Sequence, residues 1–260
     1  VIGLITGTGL YDLQLQGSEQ RTVATAHGDA RLTVGTLGGV EVAHHSRHGA
    51  AHERLSHQGN PRAVMLGLAE LGVAAVVATT VTGAVDPGLA LGALVVFDDL
   101  YFPSNRLPGG EPCTLFTEPG APGRGHWIFD RPFSDTVRTA LLRAAADAGE
   151  IAVDGGTYGH VDGPRLNSAP EIRALGAAGV AAVSQTCGPE VVLAGEAGLP
   201  FGLIGFVTDH ANGVAPEPTP PEVLGHLLSE SGGAFSRVLE RAAPLLDAPH
   251  RPAGFVYRLG

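Results

Sequence analysis

The strongest constraint on the fold is a series of short runs that are apolar almost without interruption. Val1–Thr6, Val73–Thr80 (VAAVVATT), Ala93–Phe97, Val180–Val183 and Phe201–Val207 show no polar alternation, so each reads as a strand buried on both faces. Between them lie segments with helical spacing. Asn60 to Leu71 places Val64, Leu68 and Leu71 on one face, with Pro61 near its start. Ser134–Ala148 does the same with Val137, Leu141, Leu142 and Ala145. Pro189 opens a further helix through Gly198, and a last one runs from Glu222 to about Leu246. Two-sided apolar strands must be covered on both sides, so alternation with helices predicts an α/β fold with helices on both faces of one sheet. The whole chain, 1–260, fits a single domain of this kind. Arg31–Leu37 and Val40–His45 flank Gly38-Gly39, a hairpin signal, and residues 101–126 form a Pro- and Gly-rich loop.

Composition removes several function classes. A formal charge of −10 argues against a nucleic-acid partner, whose phosphates demand a basic surface. No run reaches the roughly eighteen apolar residues of a membrane span. The apolar start VIGLITGTGL lacks a basic lead-in, so it reads as a first strand rather than a signal peptide. Cys113 and Cys187 stand far apart with no metal-ligand spacing, which predicts no structural zinc and a reducing, cytoplasmic setting.

In an α/β sheet, ligands gather at the carboxyl ends of the strands. Those ends carry Thr8, Arg47-His48, Thr79-Thr80, Gln185-Thr186 and Thr208-Asp209. Hydroxyls, one guanidinium, one imidazole and one carboxylate suit an anion together with a polar small molecule. The spaced carboxylate pair of a water-activating glycosidase is missing, and so is a GxSxG elbow. Gly7-Thr8-Gly9 is either a plain strand-to-turn junction or a phosphate cradle of backbone N–H groups. Arg47 offers a planar fork for phosphate, or a solvated loop charge. Thr79-Thr80-Val81-Thr82-Gly83 ends a strand, where β-branching alone accounts for threonine, yet Gly83 opens the backbone to a ligand. Asn167 or Ser168 suits a helix N-cap. Asp209 is either a turn cap or a buried acid that protonates a base nitrogen. His44, His45 and His57 read as surface or satisfied core residues.

Taken in order, these segments resemble the trimeric purine nucleoside phosphorylases, specifically the 5′-methylthioadenosine phosphorylase branch. The resemblance runs through ITGTGLYDL at 5–13, SRHGAAHERLSHQGNPRA at 46–63 and VVATTVTGAVDPGLALGALVVFDD at 76–99. It continues with GHWIFDRPF at 125–133, GTYGHVDGPRLNSAPEI at 156–172, QTCGPEVVLAGEAGLP at 185–200 and VTDHANG at 207–213. It implies one α/β domain with a central mixed sheet flanked by helices. It also implies phosphate binding by Thr8, Arg47, His48, Thr80 and Thr186, with the backbone of Val81 helping.

Leu166 falls where the family sets an aromatic ring against the base, and Gln185 where it sets a methionine beneath the ribose. His126 matches a histidine lent by a neighbouring subunit, which implies a homotrimer with shared sites. Asp209 matches the residue that hydrogen-bonds purine N7. Asp209 together with Asn167 favours a 6-amino purine. Pro220, beside Val223, stands where methylthio enzymes have an apolar residue, which favours a 5′-deoxy, 5′-substituted ribose. Ala211 replaces a second family aspartate, and Asn212 is the nearest polar residue that could stand in for it. Phe102-Pro103-Ser104-Asn105-Arg106 replaces an acidic segment of the family.

The expected reaction is therefore phosphorolysis of a 5′-deoxy-5′-substituted purine nucleoside, 5′-methylthioadenosine being the best match, to adenine and the pentose 1-phosphate, with inorganic phosphate as co-substrate and no metal or organic cofactor. The alternatives are a 6-oxopurine or methylthioinosine phosphorylase, a hydrolase on the same scaffold, or a non-catalytic nucleoside-binding homologue.

Overall fold

The computed structural model describes residues 1–49 and 52–258; Ala50 and Ala51, inside the 46–63 segment, lie outside the described residues. In chain order the strands are β1 (Ile2–Thr6), β2 (Gln16–Thr25), β3 (Gly28–Leu37), β4 (Val40–Ser46), β5 (Val76–Ala84), β6 (Leu94–Val96), β7 (Asp99–Tyr101), β8 (Gly125–Ile128), β9 (Ala152–Asp154), β10 (Thr157–His160), β11 (Val180–Ser184), β12 (Phe201–His210) and β13 (Phe255–Arg258). The helices are α1 (Pro61–Glu70), α2 (Asp135–Asp147), α3 (Ala169–Ala177), α4 (Cys187–Glu196) and α5 (Pro221–Leu246).

Strand β5 is the hub of a large mixed sheet. It runs parallel to β1 on one edge and to β12 on the other, and its last residues pair antiparallel with β11. The uninterrupted apolar runs are explained by the two layers that sandwich them. Along β5, Val76 and Ala78 enter a core with Met65 and Leu68 of α1 and with Val191 and Leu193 of α4. Val77, between them, enters the opposite core with Leu141 of α2 and with Phe235 and Leu239 of α5. A strand sealed on both sides leaves no position for a polar residue. Each fully buried Val or Leu contributes about 1.5–3 kcal/mol of transfer free energy, so an acidic substitution at Val77 would unfold the sheet rather than distort it.

The Gly38-Gly39 turn joins β3 to β4 as expected, with φ of +58° and +83° that only glycine adopts freely. Helix α4 begins at Cys187, two residues before the proline expected to open it. Pro189 still lies in the first turn, where the missing N–H has no acceptor to lose. Strand β12 runs on to His210, three residues past the expected end, across a register shift between Val207 and Asp209. Val207 pairs with Thr82 and Asp209 with Gly83, so Thr208 is an extra residue, a β-bulge. Most of 101–126 is loop as expected, tied inward by buried Leu107 and Cys113. Among the described residues, no helix is long and apolar enough to cross a membrane.

Candidate active site

Five strand ends converge on a cavity of about 320 Å³. Its wall includes Thr8 after β1, His48 after β4, Val81 and Gly83 of β5, Gln185 and Thr186 after β11, and Asp209 of β12, with Leu166 and Asn167 from the loop before α3. Strand β11 reaches this point from the opposite direction to its neighbour β5.

One corner gathers the residues expected to hold an anion. Gly7 is pinned beneath it: a Cβ there would lie 3.1 Å from Arg47 Nη1 and 3.3 Å from the His48 ring, so the backbone turns close beneath both side chains. His48 Nδ1 sits 2.9 Å from the carbonyl of Arg54. A carbonyl only accepts, so Nδ1 carries the proton and Nε2 keeps a lone pair. Burial, then the Arg47 charge, lowers the His48 pKa to about 4. The ring also stacks on His52 at 4.8 Å, and His52 Nδ1 is 2.8 Å from the Tyr11 hydroxyl.

Arg47 does not line this cavity. It is buried behind the wall, beside a chamber of about 40 Å³ that it shares with His48, Thr186 and Glu190. Its Nε and Nη2 donate to the two Glu190 oxygens at 2.5 and 2.8 Å, its Nη1 donates to the Thr79 carbonyl at 2.6 Å, and Nη2 reaches Cys187 Sγ at 3.4 Å. Burial disfavours the charge, but Glu190 outweighs that and raises the Arg47 pKa. The solvated loop charge is thus excluded; Arg47 is a fixed cation behind the anion corner. Glu190 was not anticipated, and its only sequence signal is a lone acid in the first turn of an apolar helix.

Thr80 is likewise off the wall. It is buried, and its hydroxyl lies 3.0 Å from Ser184 Oγ on β11 and 3.1 Å from its neighbouring carbonyl, Val81 O. The adjoining strand supplies an acceptor, so the side chain turns into the sheet.

The second corner holds Asp209. The bulge at Thr208 brings the carboxylate over Gly83, whose Cβ would lie only 3.2 Å from Asp209 Oδ2. Thr208 Oγ1 donates to Asp209 Oδ1 at 2.8 Å. Burial raises the Asp209 pKa against the smaller opposing effects of Thr208 and His210. Ala211 is buried beside Gly83, a Cβ on which would approach to 3.5 Å. Asn212 also faces the cavity; its Nδ2 donates to the Asn167 carbonyl at 2.7 Å, which leaves its Oδ1 as an acceptor. Ser168 is the N-cap of α3, reciprocated by Glu171, and Asn167 is left free to face the cavity. Leu166 lies at the mouth with 74% of its surface exposed.

Three further expected residues stand outside the cavity of the single chain. His126 lies on the exposed β8 strand, opposite Tyr257 of β13 in a separate two-stranded sheet. Pro220 is the exposed N-cap of α5, and Val223 packs against the α2–α5 core. Thr219 Oγ1 accepts from the His210 amide at 3.2 Å, which holds the segment ahead of α5 against the end of β12. His44 and His45 are buried and paired with Thr6 and the Arg31 carbonyl; His57 is exposed.

Known proteins repeat this architecture over nearly the whole chain. A 6-oxopurine nucleoside phosphorylase from Pyrococcus furiosus is 31% identical over 255 residues, covering 96% of this chain and 94% of its own. An S-methyl-5′-thioadenosine phosphorylase from Mycobacterium tuberculosis is 38% identical over 219 residues, 83% and 77% of the two chains. The structure of methylthioadenosine phosphorylase from Schistosoma mansoni in complex with adenine superposes with a TM-score of 0.84 at 26% identity, covering 94% of this chain and 91% of that one. The sequence model of the phosphorylase superfamily matches residues 1–248, and the chain belongs to that family.

Proposed function

We propose that the protein phosphorolyses a 5′-deoxy-5′-substituted purine nucleoside, with 5′-methylthioadenosine the preferred substrate, to give adenine and the pentose 1-phosphate. The observation that carries this reading is one cavity with an anion corner at one group of strand ends and a partly desolvated carboxyl at another. Phosphate binds at Thr8 and Thr186, with the Val81 backbone, while His48 Nε2 accepts from a phosphate hydroxyl and Arg47 supplies positive potential from behind. Inorganic phosphate is the co-substrate, and the chemistry requires neither a metal nor an organic cofactor.

The reaction is a displacement at C1′. As the glycosidic bond lengthens, the sugar gains oxocarbenium character and the purine gains negative charge. Burial favours the neutral acid form of Asp209, which gives its proton to N7 so that the base leaves uncharged. Phosphate then closes on the opposite face of the sugar, held by fixed donors that need no reorganisation. A homotrimer in which His126 of the partner subunit reaches the 5′ end of the nucleoside would complete the site, in a cytoplasmic salvage role.

A second reading is a 6-oxopurine or methylthioinosine phosphorylase. Ala211 favours it, since it leaves a 6-amino group with one acceptor fewer than an aspartate there would supply. Adenosine, inosine and their 5′-methylthio forms, assayed for base release with and without phosphate, separate the readings. Adenine from the methylthio substrate in phosphate alone supports the first, hypoxanthine the second. Release that needs no phosphate refutes phosphorolysis.

A further inference from the structure

Gln185 stands where the resemblance places a methionine under the sugar, yet its amide is already spoken for. Oε1 accepts a hydrogen bond from Ser56 Oγ at 3.1 Å, and Nε2 donates to the Arg165 carbonyl at 3.0 Å. Gly163 completes the junction: a Cβ there would run into the Gln185 amide and come within 2.7 Å of Ser56 Oγ. Three separate segments thus meet at one side chain. One follows β4, one leads into α3, and one joins β11 to α4.

Both outer segments border the catalytic cavity, through Leu55 and Ser56 on one side and Pro164 and Leu166 on the other. Ser56 and Gln185 also border a second, outer cavity of about 270 Å³. The junction is therefore a partition between the two spaces. Arg165, whose carbonyl Gln185 holds, fixes the far end of its loop through a paired contact to Glu171 at 2.7 and 2.9 Å. A thioether offers no N–H and only a weak acceptor, so a methionine at this position would make no such bridge.

We propose that Gln185 is a positioning residue, a clamp that ties the Leu55–Ser56 segment to the Gly163–Leu166 segment and so forms the side wall of the nucleoside subsite. Its hydrogen-bonding capacity serves the wall, and Leu166 reaches the base only while the wall is closed. Thr186, the next residue, has a support of its own: the Tyr158 hydroxyl accepts from the Thr186 and Cys187 amides at 3.4 and 3.2 Å, so the phosphate end keeps its place when the clamp is lost.

The test has two arms, and only the kinetic one rests on the phosphorylase reading. In the substrate-free protein, Gln185→Leu should speed backbone hydrogen exchange at Ser168, whose N–H donates to Glu171 Oε2 at 2.7 Å, by about tenfold, the effect of losing two neutral hydrogen bonds of ordinary net strength. Kinetically, Gln185→Leu should raise the KM for 5′-methylthioadenosine about tenfold and leave the KM for inorganic phosphate within about twofold. Ser56→Ala should raise the nucleoside KM about threefold alone and add nothing in the Gln185→Leu background, because the bond is already gone. Should Gln185→Leu fail to fold, Gln185→Glu replaces it: it keeps the acceptor for Ser56 and loses the donor to Arg165. Unchanged exchange, or an equal Ser56→Ala penalty in both backgrounds, overturns the clamp. Faster exchange in a protein without phosphate-dependent base release would uphold the clamp and overturn the phosphorylase reading instead.

Discussion

Removing Glu190 should do more damage than removing any carboxylate that touches substrate. In Glu190→Ala the Arg47 guanidinium stays in place, with its side chain 8% exposed, and loses the partners of both Nε and Nη2. The Thr79 carbonyl and Cys187 Sγ remain, and neither neutralises a charge. Breaking one side of a buried ion pair costs about 3–5 kcal/mol, because the remaining charge is left desolvated and unmatched. For a chain of this size, where 1 kcal/mol moves the midpoint by about 2–4 °C, the expected drop is on the order of 10 °C. Thermal unfolding followed by circular dichroism at fixed protein concentration reads this directly. The double variant Arg47→Met/Glu190→Leu removes both charges and fills the space with apolar atoms. It should recover most of the lost stability while phosphate-dependent turnover stays low. A Glu190→Ala protein within about 1 kcal/mol of the parent, or a double variant less stable than the single one, would refute the buried-pair account.

Asp209→Asn should lower turnover on an adenine nucleoside by well over tenfold, roughly the scale of losing a general acid, and unchanged turnover would reject Asp209 as the proton donor. The same change should raise the melting temperature at pH 7. Burial lifts the folded-state pKa of Asp209, so the group favours folding below its unfolded value and loses that advantage as pH rises through the folded one. The gain from asparagine should therefore vanish below the ordinary carboxylate range. His44 and His160, lowered to about 3, and His45 and His48, lowered to about 4, in each case chiefly by burial, should make the protein acid-labile. The unfolded chain takes up their protons as pH falls below about 6.5 and the folded one does not, so each imidazole removes up to about 1.4 kcal/mol per pH unit. Urea midpoints should fall steeply between pH 6.5 and 4; a flat profile would contradict neutral burial. Gly7→Ala should raise the phosphate KM with little change in nucleoside KM, since the new Cβ would press first on Arg47 and His48.

The central layer was legible because its strands are sealed on both faces, and a continuous apolar run has few other uses. Strand β2 was not legible, because nearly all of its residues are exposed and none of the alternation that marks a half-buried strand survives in GSEQRTVAT. The pairing of β8 with β13 joins residues far apart in sequence, and nothing local announces it. In the site, the strand-end polar residues identified the cavity, and Thr8, His48, Thr186 and Asp209 face it. What single residues did not disclose was depth. Arg47 and Thr80 read as ligand contacts by type, yet each has a partner, buried Glu190 and half-buried Ser184, contributed from a distant part of the chain. Gln185 was located correctly, but its partners Ser56 and Arg165 emerge only once three loops are folded together.

The extra residue in β12 gives that strand two independent halves. From Phe201 to Val207 each residue is matched one-for-one with β5, and the sandwich on both sides enforces the match. Beyond Thr208 the count is displaced, so the acid is placed by strand length as much as by identity. Deleting Thr208 would keep every core side chain and the pairing of Asp209 with Gly83, yet remove both the hydroxyl that donates to Asp209 and the bend that carries its carboxylate over Gly83. A length change of one at this point would therefore alter how the acid is held while leaving the hydrophobic framework intact.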